Sequence, residues 1–267
     1  MNTSVVMFLL LLGLPTYAQD FFAAPLQGMG NTGLALPSIY NLTVNAAALT
    51  KLSNAQVAVA YQPHFLTNDI QAQALFSIVP IKKKNAIGVA LNNYGLKGTS
   101  SLLTLRAVYA RAFGDFISTS LSTNYHQYQV KGYGGDQALS LDLGFHFMIN
   151  EMFAIGTLLR NVSFSSFDDT IDQHITKEVG VGVLYRLSKE LLVTADVYYN
   201  TIRAIDPKVG FAYDIDRLFI LRAGVTAKPM QYFAGAGITI GKLIFDISSS
   251  FHTRIGYSPQ IALNYGF

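Results

Sequence analysis

From about residue 54 onward, apolar and polar residues alternate with a period of two in fourteen short segments. They fall near 55–65, 70–80, 86–96, 101–113, 116–129, 137–148, 152–164, 174–187, 191–203, 207–215, 218–228, 231–240, 243–252 and 259–267. In the sixth, Leu139, Leu141, Leu143, Phe145 and Phe147 share one side; Ser140, Asp142, Gly144 and His146 share the other. In the ninth, Val193, Ala195, Val197 and Tyr199 oppose Thr194, Asp196, Tyr198 and Asn200. In the thirteenth, Leu243, Phe245, Ile247 and Phe251 oppose Asp246, Ser248, Ser250 and His252. Side chains of an extended chain point alternately to opposite faces, so each segment predicts a strand with one apolar face. Lengths of about 9 to 14 residues suit tilted strands that cross a membrane.

Charged residues inside these segments keep to the polar phase: Arg106, Asp142, Asp196, Asp214, Arg222 and Asp246. A base on a lipid-facing side costs roughly 2–4 kcal/mol at mid-membrane. The six are therefore expected to face a lumen, where they pair or meet water. Tight turns are predicted at 82–85, 114–115, 150–151, 188–190, 216–217 and 241–242. They alternate with mostly longer connections, of which 165–173 is the longest. Even strand number, with short turns at one end, describes a bacterial outer-membrane barrel whose short turns are periplasmic. The expected fold is all-β: a 14-stranded antiparallel transmembrane β-barrel over 54–267.

The final strand carries a second signal. Leu263, Tyr265 and Phe267 alternate with Asn264 and Gly266, and an aromatic residue stands last. A soluble protein rarely leaves such an apolar edge open, because it templates aggregation. The three residues are expected to serve as a C-terminal signal read by barrel-assembly machinery.

Residues 19–53 do not alternate. Gly28, Met29, Gly30 and Gly33 form a small-residue cluster, and Asn45 to Leu49 suggests a helical turn. Inward Gly and Ala positions in the strands (Ala58, Ala60, Gly88, Gly180, Gly182, Gly210) leave room for this segment as a luminal hatch. The cluster is not a phosphate loop, since no strand precedes it and no Lys-Ser/Thr follows.

Composition narrows the class. Hydrophobic residues make up 51% and charged residues 13%, against about 25% charged in a typical soluble domain. Yet no apolar run after residue 18 approaches the roughly 20 residues of a membrane helix. Apolar content without helical spans leaves a β-barrel. The 15 Tyr and 18 Phe, with no Trp, suit aromatic girdles at the membrane interfaces. Residues 1–18 read as a secretory signal: Val5 to Leu14 is apolar, Pro15 ends it, and Ala18 closes a small-residue cleavage site. With no Cys in the chain, neither a lipid anchor nor a disulfide framework is expected. A net charge of +3 is too small to argue for nucleic acid.

Candidate chemistry is sparse. His64, His126, His146, His174 and His252 form no close ligand pair, so no metal or other cofactor is expected. Asp168, Asp169 and Asp172 lack calcium-loop spacing and read as a solvated acidic loop. No Gly-x-Ser-x-Gly elbow occurs, and a non-enzyme is expected. Lys82 to Lys84 is a basic turn.

The ends of the chain carry a family resemblance. Gly28 to Leu36 followed by Asn45-Ala46-Ala47-Ala48-Leu49 resembles the Gly-Met-Gly-Gly-Ala segment and Asn-Pro-Ala-x-Leu motif of PorV/PorQ-type proteins of Bacteroidota. These are members of the FadL-like outer-membrane barrels. His252 to Pro259, then Ala262 to Phe267, resembles their closing pattern. Ala46 stands for the motif proline and Pro259 for a second histidine. The resemblance implies fourteen strands and an N-terminal hatch, in agreement with the strand count. It also implies an integral protein of the bacterial outer membrane.

Two functions fit. One is an accessory subunit of a larger outer-membrane machine, in type IX secretion or barrel assembly. Its partners are outer-membrane lipids, the assembly machinery and a larger outer-membrane complex. The other is a FadL-like channel for hydrophobic small molecules. Small external loops and luminal charges of both signs favour the accessory subunit on sequence grounds, because such a lumen suits a closed ion-pair network better than an oily tunnel.

Overall fold

The computed structural model describes residues 21–67, 69–82, 84–168, 173–200, 205–216, 218–252 and 256–267. The signal segment 1–18, residues 19–20, and Asp169 and Asp172 of the acidic loop lie outside the described residues. Alternation resolves into fourteen strands: β1 (Gln56–Pro63), β2 (Ile70–Ile81), β3 (Asn85–Leu96), β4 (Ser100–Phe113), β5 (Ile117–Val130), β6 (Gly134–Met148) and β7 (Phe153–Arg160). They continue as β8 (Glu178–Arg186), β9 (Leu191–Asn200), β10 (Asp206–Ile215), β11 (Phe219–Ala227), β12 (Met230–Ile240), β13 (Leu243–His252) and β14 (Gly256–Gly266). Each pairs antiparallel with the next, and β1 closes on β14 from Gln56↔Gly266 to Tyr61↔Ile261. Closure leaves no free edge, which is what a sheet in hydrocarbon requires.

The two faces differ as the alternation predicts. Leu121, Leu139, Val181, Val197 and Ile261 are exposed on the outside. Tyr109, Phe113, Tyr185, Tyr213 and Phe219 ring the short-turn end; Tyr199, Tyr232, Phe251 and Tyr257 ring the other. Two aromatic belts around an apolar band are the mark of a membrane-spanning barrel. The six charges expected in the lumen point inward: Asp142, Asp196 and Asp246 are each 1% exposed, Arg106 is buried, and Arg222 and Asp214 are half-buried, whereas Arg111 of β4 lies on the outward phase near the short-turn end and is exposed.

The barrel encloses the N-terminal segment rather than open space. Helix α1 (Ala24–Gly28) packs on β11 to β14, with Pro25 in its first turn, where a missing N–H costs nothing. A 3₁₀ turn at Ile39–Leu42 lies on β1 to β3, and another at Ala46–Lys51 on β3 to β6. The Asn45 side chain caps the second by accepting from Ala47 N–H at 3.3 Å. Phe21, Leu26, Met29, Leu34, Leu42 and Leu49 form one buried cluster with inward Ala and Phe76 of the wall.

The rim departs most from the expected outline between β7 and β8. Segments 152–164 and 174–187 shorten to β7 and β8, so the connection runs from 161 to 177. Asn161 ends β7. Its φ is 53°, its backbone N–H donates to Asp142 Oδ1 at 2.8 Å, and its Oδ1 accepts from Ser165 N–H at 2.9 Å. The chain turns there because Asn tolerates the left-handed region and replaces ladder bonds with its own amide. Phe167 is thereby buried (5% exposed) at the mouth. Consequently β6 pairs with β7 only from Leu143 onward, and residues 134–142 rise past it. At the other seam, β14 begins at Gly256, three residues earlier than the alternation indicated, with Pro259 opposite Ser249.

Candidate functional site

The candidate site is the seam where the N-terminal segment meets the inner wall. Gly33 and Leu34 donate backbone N–H groups to Asp196 Oδ2 at 2.8 and 3.1 Å. Asn45 Nδ2 donates to the carbonyls of Leu34 (2.7 Å) and Phe145 (3.0 Å), tying the segment to itself and to β6. Arg106 Nη1 donates to Leu42 O at 3.2 Å, and Arg160 Nη2 to Thr43 O at 3.3 Å. His146 Nε2 lies 3.1 Å from Ala35 O; a carbonyl only accepts, so this nitrogen carries the proton. The hydroxyls of Thr32 and Thr194 meet at 2.5 Å, and Ser248 Oγ donates to Gln27 Oε1 at 2.6 Å. A segment with little regular structure has many backbone groups to satisfy, and here the wall satisfies them.

Close approach depends on wall glycines. A Cβ on Gly156 would strike Leu34 O, one on Gly210 would strike Met29 O, and one on Gly224 would strike Gly30 N. On Gly182 it would strike the Asp196 carboxylate itself. From the segment's side, Gly30 has φ 72°, and a Cβ there would lie 2.8 Å from Val225 N.

Several of the inward charges are paired. Arg106 Nη2 lies 3.1 Å from Asp142 Oδ2, and Arg222 Nη1 donates to Asp246 Oδ1 at 2.6 Å. Arg160 Nε is 3.8 Å from Glu178 Oε1. Lys208 Nζ lies 4.2 Å from the Tyr198 ring centre and 5.0 Å from that of Phe22, with Asp206 Oδ2 at 3.7 Å. It thus clamps an aromatic of the segment by cation–π attraction.

A small cavity of about 70 Å³ lies beneath the 161–177 connection. Phe21, Leu102, Phe167 and Ile175 line it together with Arg106, Asp142 and His126. Beside it, His64 sits in a 3₁₀ turn (His64–Leu66) outside the strands, edge-on to Tyr94 with ring centres 5.4 Å apart. Burial pushes its imidazole from 6.5 down to about 4, so it is neutral near pH 7.

Gly28, Met29, Gly30, Gly33, Asn45 and Leu49 all lie in this seam. Arg106, Asp142 and Asp196 meet the segment or hold its partners, and Arg222 and Asp246 flank α1. Asp214 faces the lumen but takes part in none of these contacts. Leu263, Tyr265 and Phe267 are far from the seam, on the outer face of β14. Phe267 N–H donates to Ala55 O at 2.9 Å, and its ring packs edge-on against Tyr265. The alternation placed Thr194 and His146 on the inward phase without showing what they touch, and sequence reasoning missed Arg160 and Phe167. No cluster of metal-ligating side chains occurs among the described residues.

No family model and no curated protein matches the sequence. Solved structures do match. CymD, a monoaromatic hydrocarbon channel, superposes with TM-score 0.71 at 13% identity, covering 94% of this chain and 99% of that one. The Pseudomonas putida toluene transporter TodX gives 0.69 at 11%, covering 95% and 99%. A Pseudomonas aeruginosa FadL homologue gives 0.63 at 12%, covering 95% and 99%. At such identities the likeness establishes the fold: that of FadL-type barrels integral to the outer membrane.

Proposed function

We propose that the protein is an outer-membrane channel for small hydrophobic molecules, with residues 21–51 as its hatch. The observation that carries this reading is a plug that fills the lumen without joining the sheet. Side-chain bonds to its backbone hold it, and such bonds break singly at about 0.5–1.5 kcal/mol net for neutral pairs. A strand inserted in the ladder could not leave that way. The luminal charges, which on sequence grounds favoured a closed accessory barrel, take a different part. Arg106, Arg160 and Asp196 bond the segment's own backbone and so anchor the hatch, while Arg106 and Arg160 also line the mouth cavity. The mouth cavity sets apolar side chains of Phe21, Leu102, Phe167 and Ile175 within an otherwise polar lining. Channels for monoaromatic hydrocarbons and toluene share this fold, which supports the substrate class.

The accessory-subunit reading keeps one support, the short external connections outside 161–177. Whole-cell uptake of a labelled monoaromatic hydrocarbon at limiting concentration separates the two. Cells carrying the folded barrel should take it up several-fold faster than cells without it. Equal rates, with the barrel folded and recovered bound to a larger outer-membrane protein, would favour the accessory role instead.

A further inference from the structure

The outer wall is not uniformly apolar. On β2 to β6 the register sets Leu75, Leu91, Leu105, Tyr125 and Leu139 in one outward row. The next row toward the long-connection end reads Gln73, Asn93, Leu103, Gln127, Gln137, and the one above reads Gln71, Gly95, Ser101, Gln129, Gly135. Directly above the apolar band, then, the wall becomes a face of amides, hydroxyl and glycine interrupted by Leu103. The strands β4, β5 and β6 are 14, 14 and 15 residues long, against 8 and 9 for β7 and β8, so this face stands above the neighbouring rim.

Two shallow grooves cross it. One, of about 460 Å³, is lined by Gln71, Gln73, Asn93, Lys97 and Ser101 among others. The second, of about 360 Å³, shares Gly98, Ser100 and Ser101 with it and adds Gln129 and Lys131. No Asp or Glu lines either groove among the described residues, and neither lysine forms an ion pair there.

We infer that this face docks the phosphorylated sugar headgroups of glycolipids in the outer leaflet. The inference rests on the orientation that places the short turns in the periplasm. Three features select this occupant. The amide rows continue the apolar band without a break, at the depth where acyl chains give way to headgroups. Side-chain amides and hydroxyls offer both donors and acceptors, which match sugar hydroxyls. Lys97 and Lys131 supply positive charge at the groove ends, where it complements phosphate. A phospholipid headgroup would meet the lysines and leave most of the amide rows unused.

The test is native mass spectrometry of the full-length barrel extracted from outer membranes in mild detergent. Wild type should retain glycolipid in preference to added phosphatidylglycerol, an anionic lipid without the sugar core. The double variant Lys97→Glu, Lys131→Glu should retain roughly tenfold less or lower. The periplasmic variants Lys84→Glu and Lys189→Glu should retain as much as wild type. The pair Gln73→Leu, Gln127→Leu keeps the lysines and should lose the preference for glycolipid over phosphatidylglycerol. Heat-dependent gel mobility confirms that each variant is folded. Equal retention by the double lysine variant, or equal retention of both lipids by wild type, overturns the proposal. So does a protein partner lost on charge reversal in place of glycolipid. Labelling of a Gly132→Cys variant by an impermeant maleimide on intact cells checks the orientation separately. Failure to label refutes the premise, and with it the proposal.

Discussion

Removing the Asp196 carboxylate should release the N-terminal segment from the wall. Oδ2 accepts from two backbone N–H groups, at 2.8 and 3.1 Å, and Asp196 is 1% exposed. A hydrogen bond to a charged group contributes about 1.5–3 kcal/mol, so the pair contributes about 3 kcal/mol even at the low end. Asp196→Ala removes both and leaves two buried donors without an acceptor. At 1.4 kcal/mol per tenfold, the detached population should rise roughly a hundredfold. Asp196→Asn keeps an oxygen acceptor without charge and should show a smaller rise. Gly182→Ala should mimic the loss, since its new Cβ collides with the carboxylate. The wild-type chain has no cysteine, so a single Leu34→Cys probe reports cleanly. Leu34 is 0% exposed while the segment is seated. The readout is the rate of maleimide labelling of that probe in native membranes. If Asp196→Ala labels at the rate of the probe background alone, with the barrel folded, the anchoring argument is wrong.

Other consequences are independent of this one. Arg106→Met alone should lower the barrel's thermal unfolding midpoint, because it strands the buried Asp142 at a cost of about 3–5 kcal/mol; the double variant Arg106→Met, Asp142→Leu should recover only part of the loss, because it also removes the acceptor of the Asn161 N–H and the Asn124 amide. The His64 packing should weaken in acid. The buried imidazole titrates near 4 and the opened chain near 6.5, so the opened form takes up the proton first. Stability of that turn is full above pH 6.5 and falls as pH drops toward 4, by up to about 3 kcal/mol. The protection factor of the amides of residues 64–67, exchange corrected for its intrinsic slowing in acid, should therefore be lower at pH 5 than at pH 7.5, and a His64→Gln variant with the same fall would refute the assignment. Phe267→Ser should reduce the yield of assembled barrel in cells, yet leave the stability of protein refolded in detergent nearly unchanged. A matching loss of refolded stability would make the residue structural rather than a signal for assembly.

Much of the fold was legible because a period of two is a direct image of a strand with lipid on one side. Thirteen turns and connections bounded by Gly, Asn, Asp, Lys and Pro then set the strand count. What escaped was local. Asn161 ends β7 through its own amide and a bond to Asp142, nineteen positions away; nothing in the alternation of 152–164 shows this. The site was half legible. Inward glycines and aligned charges announced an occupied lumen, but not what they touch. Asp196 meets Gly33 through 163 positions of chain, and through backbone atoms that carry no sequence signature. The same gap shaped the functional reading. Charges of both signs were visible, while their use as anchors for a plug was not, so they pointed toward a sealed accessory barrel.

A reversible lock tests the channel and its hatch together. The Thr32 and Thr194 hydroxyls lie 2.5 Å apart, so cysteines at both positions bring the segment and β9 within reach of a disulfide. Hydrocarbon uptake would be measured on intact cells carrying Thr32→Cys, Thr194→Cys, first oxidised and then reduced. If the plug must move for substrate to pass, oxidation stops uptake and a reductant restores it. Uptake at the same rate in the oxidised and reduced states, with the crosslink verified, would contradict the account.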